Sequence, residues 1–152
     1  MDCGSVMNHP LVALAETETV EAAAQVMAEG KFGFIAVQGP AGELVGVLTD
    51  RDLAVRVCAR NLPADATQVG SVMTTEVISC HRDDSLEVAE ALMAQHQKQR
   101  IVVLGDGGAP AGVLSLSDLA QCEQPLKVAT LLRQVKSREF RYKGSQPPER
   151  LP

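Results

Sequence analysis

The chain has 152 residues, a mass of 16.2 kDa, 45% hydrophobic and 22% charged residues and a mean hydropathy of +0.02, values that fit one compact domain or two small ones and exclude disorder over most of the length. Its net charge of −5 is uneven: residues 127–152 hold seven basic and two acidic side chains, +5, which leaves −10 on residues 1–126. An acidic body repels nucleic acid, so any contact with DNA or RNA would fall to the tail. No apolar run reaches the roughly 18 residues that cross a bilayer, and Met1-Asp2-Cys3-Gly4 lacks the basic-then-apolar start of a secretory signal, so a cytoplasmic protein without membrane association is expected.

Only Phe32, Phe34, Phe140 and Tyr142 are aromatic, so Val, Leu, Ile, Met and Ala must fill the core. Cys3, Cys58, Cys80 and Cys122 show no CxxC pairing and read as reduced thiols packed as small hydrophobes. His9, His81 and His96 have no metal-ligand spacing, and no metal is expected.

The chain repeats itself. Residues 6–54 align without gaps on 72–120, with 16 identities among 49 pairs, including Met7/Met73, Gly46/Gly112, Leu48/Leu114 and Asp52/Asp118. In chain order each copy begins with a short apolar strand, Leu11 to Leu14 or Val77 to Cys80. A helix follows, with Thr19 as N-cap in the first copy and Asp84 or Ser85 in the second. Val20, Ala23, Ala24 and Met27 form one apolar stripe on it, nearly repeated by Leu86, Ala89, Leu92 and Met93. Next come two strands, Phe34 to Val37 and Leu44 to Leu48, joined by Gly39-Pro40-Ala41-Gly42. In the second copy they are Ile101 to Leu104 and Gly112 to Leu114, joined by Gly105-Asp106-Gly107-Gly108. A second helix closes each unit, Asp50 to Arg60 and Leu116 to Cys122. Neither unit alone covers its sheet, so the two are expected to pack sheet to sheet about a pseudo-twofold axis, which creates two related clefts.

Gly46-Val-Leu-Thr49-Asp-Arg-Asp52-Leu recurs as Gly112-Val-Leu-Ser115-Leu-Ser117-Asp118-Leu, placing a hydroxyl and a carboxylate three residues apart at both strand-to-helix junctions. Two readings stand side by side. One is a capping box, hydroxyl to helix N–H and carboxylate to the N-cap amide. The other is a nucleotide site, in which the helix start offers N–H groups to a phosphate and the Asp accepts from a ribose diol. Arg51 beside Asp50 reads first as a solvated helix-start salt bridge and second as a phosphate contact.

These paired motifs, with the Met7 and Met73 segments and Arg100-Ile-Val-Val ahead of them, resemble a tandem pair of CBS domains, a Bateman module, over about residues 5–122. In having the pair and nothing fused to it, the chain resembles the free-standing prokaryotic two-domain proteins. The resemblance implies an α+β fold of two βαββα repeats packed sheet to sheet with pseudo-twofold symmetry: repeat 1 at 5–60, a linker at 61–70 and repeat 2 at 71–122. It implies a non-enzymatic regulatory module that binds an adenosyl ligand between repeats and modulates an unknown partner protein. The ligands implied are AMP, ADP or ATP, with S-adenosylmethionine or NAD(H) as further members of the class. Site A is implied at Thr49, Asp52, Ile78, Ser79 and Arg100, and site B at Val12, Ala13, Gly33, Phe34, Ser115, Ser117 and Asp118. Asp52 and Asp118 would hold ribose hydroxyls, and Arg100 would hold phosphate. Site B, with Ala13 and Phe34 where site A has Ser79 and Arg100, is expected to bind nucleotides more weakly. The alternative is an adaptor CBS pair with degenerate sites that acts through protein contacts alone.

Beyond the pair, a C-terminal helix at 125–137 is expected to bury Val128, Leu131, Leu132 and Val135, either within the chain or against a second subunit, and a homodimer through the CBS helices is implied. Residues 138–152 read as an extended or disordered basic tail.

Overall fold

The structure, a computed structural model, describes residues 1–137; the basic tail read at 138–152 lies outside the described residues. Each repeat builds one three-stranded sheet. In the first, β1 (Ala13–Ala15) runs parallel to β2 (Phe34–Gln38), which pairs antiparallel with β3 (Leu44–Thr49). β4 (Ser79–His81), β5 (Arg100–Leu104) and β6 (Pro110–Ser115) repeat that order and those directions. Both hairpins slip by a bulge at the same place, between Val37 and Gln38 and between Val103 and Leu104. The first parallel strands begin later than their apolar stretches, because Leu11 and Val77 lie in the approach to the sheet.

The helices follow from the stripes. α2 (Val20–Gly30) buries Val20, Ala23 and Met27, and α5 (Leu86–His96) buries Leu86, Ala89 and Met93. Thr19 caps α2 by accepting the Ala22 N–H at 3.1 Å; Ser85 occupies the N-cap of α5 without a side-chain bond to it. The second helix of repeat 1 starts as α3 (Asp50–Asp52) and continues through a π-helical stretch, Leu53–Val57, and a 3-10 turn, Cys58–Arg60. Its counterpart, α6 (Leu116–Cys122), is regular.

Strand alternation covers both faces of each sheet. Ile35 and Val37 point to the helices of repeat 1, and Ile101 and Val103 to those of repeat 2. Ala36 and Val102, on the opposite faces, are also fully buried, so the sheets pack against each other about the pseudo-twofold axis.

The two repeats exchange their first turns. α1 (Cys3–Val6), at the start of the chain, packs on β4, β6 and α6, and Cys3 is fully buried in the core of repeat 2. α4 (Val69–Val72), which opens at the end of the segment read as linker, buries Val69 and Val72 in the core of repeat 1. The bonding is duplicated: the Cys3 and Gly4 N–H groups donate to the carbonyls of Asp84 and Arg82, and those of Val69 and Gly70 to Glu18 and Glu16, all at 2.8 Å. One step further, Asn8 and Val113 exchange backbone bonds of 2.8 and 3.0 Å, as do Thr74 and Val47 at 2.8 and 2.9 Å. Gly46 and Gly112 make this crossing fit. A Cβ at Gly112 would stand 2.8 Å from the Asn8 carbonyl oxygen, and one at Gly46 2.9 Å from that of Thr74.

α7 (Pro125–Val135) docks within the chain, on α5 and α6. Leu131 and Val135 are buried and Val128 half-buried, whereas Leu132, expected on the same face, is 45% exposed. It lies one residue, about 100°, around the helix from Leu131, and the seam follows 128, 131 and 135. Lys127 anchors the helix to Glu90 at 3.0 Å and Glu123 at 2.9 Å. Those two hydrogen bonds hold the Lys127 ammonium above the usual lysine range, while burial pushes the Glu90 carboxyl up.

All four cysteines are free, two of them buried. Burial pushes the Cys80 thiol up to about 12 and raises that of Cys3 beside it. Thiol titration of the native protein should therefore label Cys58 and Cys122 readily and Cys3 and Cys80 only with unfolding; four equally fast thiols would contradict this core. Gly112→Ala should lower unfolding free energy by about 1–3 kcal/mol in chemical denaturation, the usual cost of overpacking. An unchanged midpoint would show that the exchanged segment does not press on β6.

Candidate functional site

Two clefts open where each exchanged segment passes the strand-to-helix junction of the other repeat. Cleft A encloses about 520 Å³ and combines Thr49, Asp52 and Arg56 with Thr74, Glu76, Val77 and Ile78. Cleft B encloses about 360 Å³ and combines Ser115, Ser117 and Asp118 with Asn8, Pro10, Leu11 and Val12. Both volumes fall in the range of small-molecule pockets. Another groove, of about 550 Å³, runs between α5 and α7 and holds none of the paired motif residues.

The carboxylates at the two junctions are held alike. Thr49 Oγ1 accepts the Asp52 N–H at 3.2 Å, and Asp52 Oδ2 accepts the Thr49 N–H at 3.0 Å. Ser115 and Asp118 repeat the arrangement at 3.3 and 2.8 Å. The capping boxes are therefore present in both copies, and they also fix each carboxylate in its cleft.

What the carboxylates do with their remaining capacity differs. Asp52 is 8% exposed. The Thr74 hydroxyl approaches it at 3.4 and 3.5 Å, and Arg56 Nε lies 3.7 Å from Oδ1. These contacts are long, and Arg56 spends Nη1 on the Val72 and Met73 carbonyls at 2.9 Å. Asp118 is more tightly engaged: Asn8 Nδ2 donates to Oδ1 at 2.6 Å and the Ser115 hydroxyl to Oδ2 at 2.5 Å. A hydroxyl entering cleft A meets loosely held oxygens; one entering cleft B competes with Asn8.

The structure brings Thr49, Asp52, Ile78 and Arg100 together in cleft A, and Val12, Gly33, Phe34, Ser115, Ser117 and Asp118 in cleft B. Ser79 and Ala13 line neither: they sit inside β4 and β1, paired with Val102 and Ala36. Arg100 and Phe34 do not divide between the clefts as expected, since each lines both. Cross-strand pairing explains it. Arg100 lies opposite Ser115 of cleft B, and Phe34 opposite Thr49 of cleft A. Arg51 lines cleft A without a salt bridge among the described residues, while the Asp50 carboxylate accepts the Arg51 backbone N–H at 2.9 Å.

Sequence reasoning missed Asn8 and Thr74, although each follows the repeated methionine and is therefore a counterpart of the other. It also missed Lys31 in cleft B and Gln97 and Lys98 in cleft A, on the turns that leave α2 and α5. Lys31 and Gln97 both take a left-handed C-cap conformation, φ 55° and 53°. Only the repeat register, applied to the residues before Gly33 and Gln99, would have pointed to them. Among the described residues no group of three or more His, Cys, Asp or Glu side chains stands close enough to hold a metal ion, and no helix is long and apolar enough to cross a membrane.

Comparison with known proteins matches this duplicated architecture. The CBS domain family model fits residues 3–58 and again 69–123. The CBS domain-containing protein YhcV of Bacillus subtilis is 38% identical over 114 residues, 75% of this chain and 79% of its own. Hypoxic response protein 1 of Mycobacterium tuberculosis is 28% identical over 76% of this chain and 80% of its own. The solved structure of the CBS domain protein PAE2072 from Pyrobaculum aerophilum, complexed with AMP, superposes with a TM-score of 0.73 at 26% identity, covering 86% of this chain and 98% of that one. The chain belongs to the CBS domain family and carries two copies of the domain.

Proposed function

We propose that this CBS pair is a cytoplasmic regulatory module that binds an adenosyl ligand, AMP, ADP or ATP first among them, and uses its occupancy to modulate a partner protein. The observation that carries the reading is the pair of clefts, each joining a fixed carboxylate for a ribose diol to an arginine for phosphate. The AMP complex of the related PAE2072 protein supports it. Each carboxylate accepts one backbone N–H, from Thr49 or Ser115, and has side-chain donors beside it, a state suited to recognising hydroxyls rather than to transferring protons. Free thiols agree with a reducing compartment.

Cleft A is the stronger candidate. Its Asp52 oxygens are loosely held, whereas a ligand in cleft B must displace or share the 2.6 Å bond from Asn8 to Asp118. Displacement is also the route to a signal. Thr74 and Asn8 belong to the exchanged segments, so a ribose competing for the same oxygens acts on the joint between the repeats.

Isothermal calorimetry with AMP, ATP and S-adenosylmethionine tests this. At least one should bind, and Asp52→Ala should abolish the tighter event while Asp118→Ala affects it less. Heat from none of the three would leave a structural adaptor with degenerate sites. A ligand at 100 times its dissociation constant should add about 2.7 kcal/mol to stability, readable as a thermal shift.

The same module is proposed to act as a homodimer through its helices, where Val55 on the helix that follows β3, Val88 on α5 and Leu126 and Leu132 on α7 stand exposed. Light scattering at micromolar concentration should report twice 16.2 kDa. A monomer would remove the dimer from the reading and leave the clefts untouched.

A further inference from the structure

The two clefts share one wall, and that wall carries one arginine. Arg100 opens β5, pairs with Ser115 of cleft B and lines cleft A as well. Directly opposed residues of an antiparallel pair project from the same face of the sheet, so its side chain leaves the sheet beside the cap of α6. The counterpart of Arg100 in the first repeat is Phe34, which likewise lines both clefts. A strict duplication would place two cations on this wall; the chain has one guanidinium and one phenyl ring. Arg100 is exposed, and no salt bridge or side-chain hydrogen bond occupies it among the described residues.

The other cations do not substitute for it. Arg56 is committed to Asp52 and to two carbonyls of the exchanged segment. Lys31 belongs to cleft B alone, and Lys98 and Arg51, which has no salt bridge among the described residues, belong to cleft A alone, so none of them can serve both clefts. Each cleft thus has cations of its own, Lys31 in B and Arg51, Arg56 and Lys98 in A, and Arg100 is the cation that they have in common. A guanidinium offers a planar fork that holds one phosphate bidentately, and two phosphates drawn to one fork are brought close enough to repel.

We infer that Arg100 is a phosphate ligand common to both clefts, so that a phosphorylated adenosyl ligand in one cleft weakens the binding of a second in the other, whereas unphosphorylated adenosine fills the two independently. The inference rests on the adenosyl-ligand reading of the clefts. A charge-assisted bond to phosphate corresponds to about ten- to a hundredfold in affinity, which sets the size of the effect. Coupling of this kind is reciprocal: whichever cleft fills first penalises the other by the same factor.

Asp52→Asn and Asp118→Asn each silence one cleft while keeping the shape of the side chain. Calorimetry with AMP and with adenosine, on both variants with and without Arg100→Ala, separates the cases. AMP should bind more tightly than adenosine in both single-cleft proteins, and Arg100→Ala should erase about tenfold or more of that preference in each. In the wild type the second AMP should bind about tenfold or more weakly than the same cleft does alone, and the second adenosine should show no such loss. An effect of Arg100→Ala in only one single-cleft protein would make Arg100 a private ligand and overturn the inference. So would a second AMP that binds the wild type as tightly as the isolated cleft. Failure of both AMP and adenosine to bind the wild type would bring down the adenosyl reading itself, a result distinct from independent binding. If an Asn variant does not fold, methyl resonances of Val77 in cleft A and Val12 in cleft B report the two occupancies separately. At low saturation with AMP, Arg100→Ala should then weaken both, and a change at only one would again overturn the inference.

Discussion

Each repeat completes the core of the other. Cys3 is the buried N-terminal plug of repeat 2, and Val69 with Val72 is the plug of repeat 1. The sheets and helices in between form two layers that could each exist on paper, but neither has its full apolar complement without the exchanged turn. The clefts are a consequence. The segment that leaves each plug has to cross β3 or β6 to reach its own repeat, and there it makes two backbone hydrogen bonds across a glycine. That crossing brings Asn8 to Asp118 and Thr74 to Asp52. A carboxylate as buried as Asp52 is tolerable because the Thr49 amide answers one of its oxygens and the crossing segment supplies polar neighbours for the rest.

The duplication has drifted at the surfaces that face ligand and solvent and held at those that face the core. Arg56 in repeat 1 corresponds to Cys122, and Lys31 to Gln97. α7 docks on repeat 2 alone, where Lys127 sits between Glu90 and Glu123; the equivalent positions in repeat 1 are Ala24 and Val57, which offer no counter-charge. A helix with the charge of α7 has a partner on one side of the pseudo-axis only. The asymmetry of the assembled pair is therefore written in a few charged positions.

Much of this was legible from the residues. The 66-residue offset gives both units at once, because the apolar stripes of α2 and α5 and the strands β2 and β5 recur in register. The paired Thr49/Asp52 and Ser115/Asp118 motifs locate the clefts, since local capping geometry depends on neighbours three residues apart. The exchange was not legible: Cys3 and Val69 carry no sign of which repeat will bury them, and the choice is made by tertiary packing. The placement of Arg100 and Phe34 failed for a related reason. A register aligned along the sequence assigns a side chain to one cleft, while the sheet pairing sets it at the boundary of two. Leu132 shows a smaller limit, since an apolar stripe two residues wide does not say which edge will be covered.

Electrostatics adds a constraint that the whole-chain charge conceals. With −10 on its first 126 residues the body repels anions at a distance, yet exposed charges beyond about 8 Å are largely screened at physiological ionic strength. What an anionic ligand meets at contact is decided inside the clefts, where Arg51, Lys98 and Arg100 stand against Asp50 and Glu76 in A, and Lys31 and Arg100 stand beside Asp118 in B. Arg100 stands on the wall that the clefts share, and Asp52 and Asp118 are pinned by their own caps. On the proposed adenosyl reading, recognition would be split along the length of the ligand: the ribose end would fall to a carboxylate private to each cleft, and the phosphate end to a wall that the clefts have in common. A ligand with only the first end would then address one cleft, and a ligand with both would address the pair.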